Sequence, residues 1–164
     1  MDLYIVRHAW AAERDDAEWP DDDLRPLTEE GRRRFSRVVE KLVSRGMSPQ
    51  VIVASPLKRC VETAQLLAAG VDGKPEVVPL DQLRPGSDLD GLLRWTARRA
   101  QSHERIAWVG HAPDVGRLTA ALIGLPDGLI HFAKGAAAYV RFDAHPTKGG
   151  GELRWLVTAK VLGC

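Results

Sequence analysis

Six stretches of the chain have the length and apolar character of strands, and four carry apolar residues at helical spacing. The first strand candidate, Leu3-Tyr4-Ile5-Val6, is uninterrupted and runs straight into Arg7 and His8. A continuous apolar run suits a strand covered on both faces, as in a parallel sheet. Val51-Ile52-Val53-Ala54 within Gln50–Ser55, Glu76–Leu80 and Arg105–Val109 extend the series. Between these runs the period changes to that of a helix. Thr28 precedes Glu29 and Glu30, and Phe35, Val38, Val39, Leu42 and Val43 form one face before Gly46 ends it. Pro56 opens a second helix with Leu57, Val61, Ala64 and Ala68 on one face, stopping near Gly70. Ser87 and Asp90 read as a capping box for a third, through Leu89, Leu92, Leu93, Thr96, Ala97 and Ala100. The turn Gly110-His111-Ala112-Pro113 leads into a fourth, with Val115, Leu118, Thr119, Leu122 and Ile123.

The last two strand candidates, Ala136–Phe142 and Glu152–Thr158, are joined by a connection too short for a crossover helix, so they pair antiparallel. The order βαβαβαβαββ predicts an α/β domain with a mostly parallel central sheet, helices on both faces and one antiparallel excursion. Trp10 to Leu24 carries Glu13, Asp15, Asp16, Glu18, Asp21, Asp22 and Asp23 with no apolar period. This acidic segment is a loop, either a solvated connection or a mobile flap beside His8 able to meet a basic partner surface.

Composition narrows the partners. At 164 residues and 45% hydrophobic, the chain fills one core, and residues 1–164 are read as a single domain. With 23 basic and 22 acidic side chains, no charge excess points to nucleic acid, and no apolar run approaches a membrane span. Cys60 and Cys164 offer neither metal-ligand spacing nor a disulfide framework, which fits a reducing, cytoplasmic setting.

Parallel sheets gather ligands at the carboxyl ends of their strands. Three such ends deliver Arg7 with His8, Arg59 in the first turn of the second helix, and His111 after the glycine turn. Two arginine forks and two helix N-termini suit a tetrahedral dianion. Of the histidines, one can attack phosphorus through a neutral ring nitrogen and the other can donate to the transferring oxygens. Cys60 adjoins Arg59 near a helix N-terminus, a setting that lowers a thiol's pKa. Val61-Glu62-Thr63 is nevertheless not the glycine-rich loop a cysteine phosphatase needs. His103, His131 and His145 lack motif context and read as structural or exposed, and Trp95, Trp108 and Trp155 as buried packing.

Together these residues resemble the histidine phosphatase superfamily, the phosphoglycerate mutase-like fold. Arg7-His8-Ala9 corresponds to its Arg-His-Gly signature, Ser55-Pro56-Leu57-Lys58-Arg59 to Ser-Pro-x-x-Arg, Glu62-Thr63-Ala64 to Glu-Thr-Ala, and Gly110-His111 to its second histidine motif. The short chain, Arg25-Pro26-Leu27-Thr28, Leu83-Arg84-Pro85 and Gly110-His111-Ala112-Pro113 are similar to the small SixA-type phosphohistidine phosphatases. The resemblance implies a three-layer fold, His8 as transiently phosphorylated nucleophile, and Arg7, Arg59 and His111 as holders of the phosphoryl group. It implies no metal and no other cofactor. Arg25 either reaches the substrate or is a plain surface arginine; Gln82 and Ala112 complete the candidate substrate contacts.

Ester-cleaving members of the superfamily place a glutamate near the third strand end as general acid, where this chain has Gln82. Glutamine cannot protonate a leaving alkoxide, with Asp81 and Asp88 as the possible substitutes. A phosphorylated imidazole leaves from nitrogen with a conjugate-acid pKa near ~6.5 and can dispense with a strong acid. The expected activity is a metal-independent phosphatase on protein phosphohistidine. The alternatives are a small-molecule phosphomonoesterase and a non-catalytic phosphate- or phosphohistidine-binding module. Two retained histidines argue against the last, and oligomeric state is not set by the sequence.

Overall fold

The computed structural model describes residues 1–164 and contains one six-stranded sheet. In chain order its elements are β1 (Asp2–Arg7), α1 (Glu29–Val43), β2 (Val51–Ala54), α2 (Lys58–Gly70), β3 (Glu76–Pro79), α3 (Leu89–Arg99), β4 (Arg105–Gly110), α4 (Asp114–Leu122), β5 (Ala137–Arg141) and β6 (Glu152–Val157). The strands lie in the order β3-β2-β4-β1-β5-β6. β3, β2, β4 and β1 pair in parallel, β5 joins β1 antiparallel, and β6 joins β5 antiparallel. This is the mostly parallel sheet with an antiparallel excursion expected of a phosphoglycerate mutase-like fold.

Period-2 alternation in the buried strands explains the three layers. Leu3 and Ile5 of β1, Val51 and Val53 of β2, and Ile106 and Trp108 of β4 pack with α3 and α4 residues such as Leu92, Val115 and Leu122. The intervening Tyr4, Val6, Ile52, Ala54, Ala107 and Val109 face Phe35, Val38, Leu42, Ala64 and Leu67 of α1 and α2. Each sheet face thus supplies half of a core. Trp108 is fully buried, and its indole nitrogen donates to Thr96 Oγ1 at 3.1 Å, so no buried donor is left unpaired there.

The helix boundaries follow their caps, with two departures. Thr28 Oγ1 accepts from Gly31 N at 2.9 Å, a cap worth about 1 kcal/mol. At α3, Asp88 is the cap, accepting from Gly91 N at 2.9 Å, while Ser87 donates back to Arg84 O, so the Ser87–Asp90 capping box does not form. α2 begins one residue after Leu57, and the face it buries is Cys60, Ala64, Leu67 and Ala68, leaving Val61 half-buried. The rotation arises because Arg59, Glu62 and Thr63 are also turned inward. Trp95 and Trp155 are only half-buried. The acidic segment is largely irregular; it contains a short 3-10 turn at Asp22–Leu24, and an antiparallel bridge joins Ala11 to Leu27. No helix is long and apolar enough to cross a membrane.

Candidate active site

β1, β2 and β4 end at the same edge of the sheet, so the residues that follow them meet there. In β1 the parity of the core residues turns Arg7 toward the α3/α4 side and His8 toward the α1/α2 side. The His8 backbone is held on two sides: its N–H donates to Gly110 O at 2.9 Å and its carbonyl accepts from Gly135 N at 3.1 Å. The next residue is tied to α2, with Ala9 N donating to Thr63 Oγ1 at 3.0 Å and Thr63 Oγ1 donating to Arg59 O at 2.6 Å. A single threonine therefore locks the nucleophile candidate to the arginine candidate. Ser55 N donates to Val109 O at 3.0 Å, and Ser55 Oγ lies 2.9 Å from His111 Nε2. The His8 and His111 rings stand 5.4 Å apart, centre to centre, at 61°.

Arg7 and Arg59 flank the two rings. Arg7 Nη1 donates to Phe132 O at 2.7 Å. Arg59 is 5% exposed; its Nη1 donates to Asp22 O at 2.9 Å and its Nη2 lies 3.1 Å from Asp22 Oδ2. The Nε atoms of both arginines are buried without a hydrogen-bond partner. Arg25 reaches the cluster through the same carboxylate, with Nε 2.7 Å from Asp22 Oδ1 and Nη1 donating to Ala12 O at 2.7 Å.

Gln82 and Ala112 lie to the sides of this group. Gln82 sits half-buried in a 3-10 turn, Asp81–Leu83, where its carbonyl accepts from Asp88 N at 2.9 Å and its side chain leans on Gly91 at the start of α3. That hydrogen bond is made by its backbone, and its side chain makes none to the histidines. Ala112 lines a cleft of about 240 Å³ with Arg7, Pro113, Ile130, His131 and Phe132. A larger cleft of about 730 Å³, bordered by Met1, Asp2, Glu104 and Arg105, lies at the opposite edge of the sheet, where the strands begin. The candidate site is placed at the carboxyl edge, because the paired histidines and arginines converge there.

Burial sets the electrostatics. It pushes His8 down to about 3, helped by the positive charges of His111, Arg59 and Arg7 against the opposing hydrogen bond to Ala9. Burial and the Arg59 charge likewise lower His111 to about 4, with Asp22 acting in the other direction. Both rings are therefore neutral near pH 7. His8 Nδ1 lies 2.7 Å from Ala9 O, an acceptor only, so Nδ1 carries the proton and Nε2 keeps its lone pair. That is the form a nitrogen nucleophile needs. Cys60 departs from the sequence reading: burial raises its thiol to about 12, outweighing the Arg59 charge, and Sγ packs 3.4 Å from His111 Nε2. Its position in α2 turns it into the core and away from solvent. No three of His, Cys, Asp and Glu converge in an arrangement that could hold a metal ion.

The sequence does not mark which partners several residues around the cluster hold. Asp22 was one of seven acidic residues in the loop, with nothing to mark it as the partner of Arg59. Glu62 is buried, accepts from Leu27 N at 2.7 Å and pairs with Arg32 at 2.6 Å, tying α2 to the entry of α1. Asp114 accepts from Gly86 N at 2.8 Å and fixes the turn after β3 against α4.

A family model for the histidine phosphatase superfamily, branch 1, matches residues 3–132. The chain belongs to that superfamily. This histidine phosphatase superfamily member is 37% identical over 123 residues to an uncharacterized protein of Picosynechococcus sp. (strain ATCC 27264 / PCC 7002 / PR-6), covering 74% of this chain and 73% of the relative. Its fold is similar to that of the protein histidine phosphatase SixA complexed with tungstate, with a TM-score of 0.83 at 24% identity over 99% of both chains. The alpha-ribazole phosphatase of Shigella flexneri shares the fold more distantly, with a TM-score of 0.65 at 18% identity over 97% of both chains. Membership and the paired histidines together support phosphatase chemistry through a histidine.

Proposed function

We propose that the protein is a metal-independent phosphatase that transfers a phosphoryl group to His8 and then to water, with protein phosphohistidine as its substrate class. The observation that carries this reading is the neutral His8 ring, anchored through Nδ1 on Ala9 O, between two arginines with unpartnered buried nitrogens. In the first step the His8 Nε2 lone pair attacks phosphorus and the bond from phosphorus to the substrate nitrogen breaks, its electron pair leaving on an imidazole whose other ring nitrogen carries a proton, so the leaving ring is neutral. Arg7, Arg59 and His111 stabilise the charge on the equatorial oxygens. Water then attacks the phosphorus on His8, the P–Nε2 bond breaks with its electron pair returning to the ring, and both water protons leave on the phosphate, released as dihydrogen phosphate.

The leaving group distinguishes this from an esterase. Asp81 is exposed and pairs with Arg84 at 2.9 Å, and Asp88 caps α3, so neither expected substitute is free to act as an acid. Asp22 is the carboxylate nearest the cluster, but its hydrogen bond to Arg25 holds it below the usual carboxylate range and hence ionised. An alkoxide would depart without a proton donor, whereas an imidazole nitrogen does not require one of comparable strength. The test compares kcat/KM for a phosphohistidine peptide and an alkyl phosphomonoester in the presence of a chelator, using the native protein and His8→Ala. The expected result is a preference of about 100-fold or more for the P–N substrate, lost in His8→Ala. Equal ester turnover would overturn the substrate assignment, and turnover of neither would favour a binding module.

A further inference from the structure

Every hydrogen-bonding nitrogen that Arg59 uses is spent on one residue of the acidic loop. Nη1 donates to the Asp22 carbonyl at 2.9 Å and Nη2 meets its carboxylate at 3.1 Å, while the other carboxylate oxygen takes Arg25 Nε at 2.7 Å. Asp22 thus sets two arginines around one anion at the carboxyl edge of the sheet, beside His8 and His111. A carboxylate and a phosphoryl group compete for the same planar guanidinium forks. The loop is pinned again one residue later, where Asp23 Oδ2 lies 2.7 Å from Arg84 Nη1, an exposed pair of little energetic weight.

We infer that Asp22 is an internal anion that occupies the phosphoryl-binding arginines of the empty enzyme and is displaced by the incoming phosphoryl group, making it a specificity-determining residue of the site. This rests on the phosphoryl-transfer reading of the cluster. While the site is empty, Asp22 keeps the Arg59 and Arg25 forks oriented and compensates charge that would otherwise be buried alone. When a phosphoryl dianion enters, its greater charge and additional acceptor oxygens outbid a single carboxylate for the forks. After hydrolysis, Asp22 returns and opposes retention of inorganic phosphate. Weak or singly charged anions are excluded by the same competition, so the residue favours substrates that bring a full phosphoryl dianion and contacts beyond it.

The test measures the Kd of inorganic phosphate by calorimetry at pH 7 for the full chain and for Asp22→Asn, Asp22→Glu and Asp16→Asn, alongside KM, kcat and Tm. Asp16 is on the same loop and pairs only with Arg14 at the surface, so its substitution controls for net charge. Asp22→Asn is expected to bind phosphate about tenfold more tightly and to lower KM, with a fall in Tm that added phosphate restores. Asp22→Glu, which keeps the carboxylate, should return toward the native Kd, and Asp16→Asn should stay within about twofold of it. Unchanged or weaker phosphate binding in Asp22→Asn overturns the inference, as does equal tightening in Asp16→Asn. Tighter phosphate binding without substrate turnover in any variant would retain the inference and reject the catalytic reading. Normal turnover with an unmoved phosphate Kd would do the reverse.

Discussion

Two neutral histidines buried side by side make the fold itself sensitive to acid. His8 is held at about 3 and His111 at about 4, against 6.5 for an unperturbed ring. In the native state neither binds a proton above pH 5, whereas in the unfolded chain both do so as the pH falls through 6.5. Stability is therefore fully present above the unfolded pKa and declines as the pH drops toward the folded values. Between pH 7 and pH 5 each ring withdraws about 2 kcal/mol, and the pair about 4 kcal/mol. That is a large share of a domain stability of about 5–15 kcal/mol. Carboxylates contribute little in this window, because their unfolded pKa values lie below it. Urea unfolding at pH 7, 6 and 5, with the slope m held in common, reads the effect directly. His8→Asn and His111→Asn, each compared with its own value at pH 7, should each remove about half of the decline. A loss under about 1 kcal/mol in the native protein, or a full decline in both variants, would refute the claim that these rings are buried and neutral.

Three other outcomes follow from contacts around the cluster. Thr63→Val leaves Ala9 N–H without its acceptor and frees the first turn of α2, so it should cost about 1–3 kcal/mol in urea unfolding and reduce kcat about tenfold or more. The Cys60 thiol, fully buried and raised to about 12, should resist a thiol reagent in the native protein while Cys164 reacts, and both should react after denaturation. A side chain at Gly116 would collide with the Ile130 carbonyl, two residues from the carbonyl that holds Arg7. Gly116→Ala should thus destabilise by about 1–3 kcal/mol and raise KM, read by thermal unfolding and steady-state kinetics.

What the sequence made legible was local. Four apolar residues before Arg7 and His8, a proline after Ser55 and a glycine before His111 each mark a strand end by backbone chemistry alone, and the three ends meet because parallel strands share an edge. The buried face of α2 departs from its apolar spacing, which assigns Val61 to the core, whereas Glu62 and Thr63 are buried by hydrogen bonds made to Leu27 and Ala9. Such partners are separated by dozens of residues and leave no period in the chain. Asp22 carries no mark for a related reason: among its six acidic neighbours in the loop, only the placement of Arg59 across the fold singles it out. Cys60 shows the limit of neighbour arguments, since the adjacent arginine is outweighed by burial.

The central claim is that phosphorus passes through His8 Nε2. Brief mixing of the protein with a radiolabelled phosphohistidine peptide, quenching in alkali, in which phosphohistidine survives, and mapping of the labelled peptide tests it directly. The account predicts label on the segment containing His8, carried at Nε2 and turned over on a chase with unlabelled substrate, with none in His8→Ala. Label on another residue, or substrate turnover that persists in His8→Ala, would contradict it.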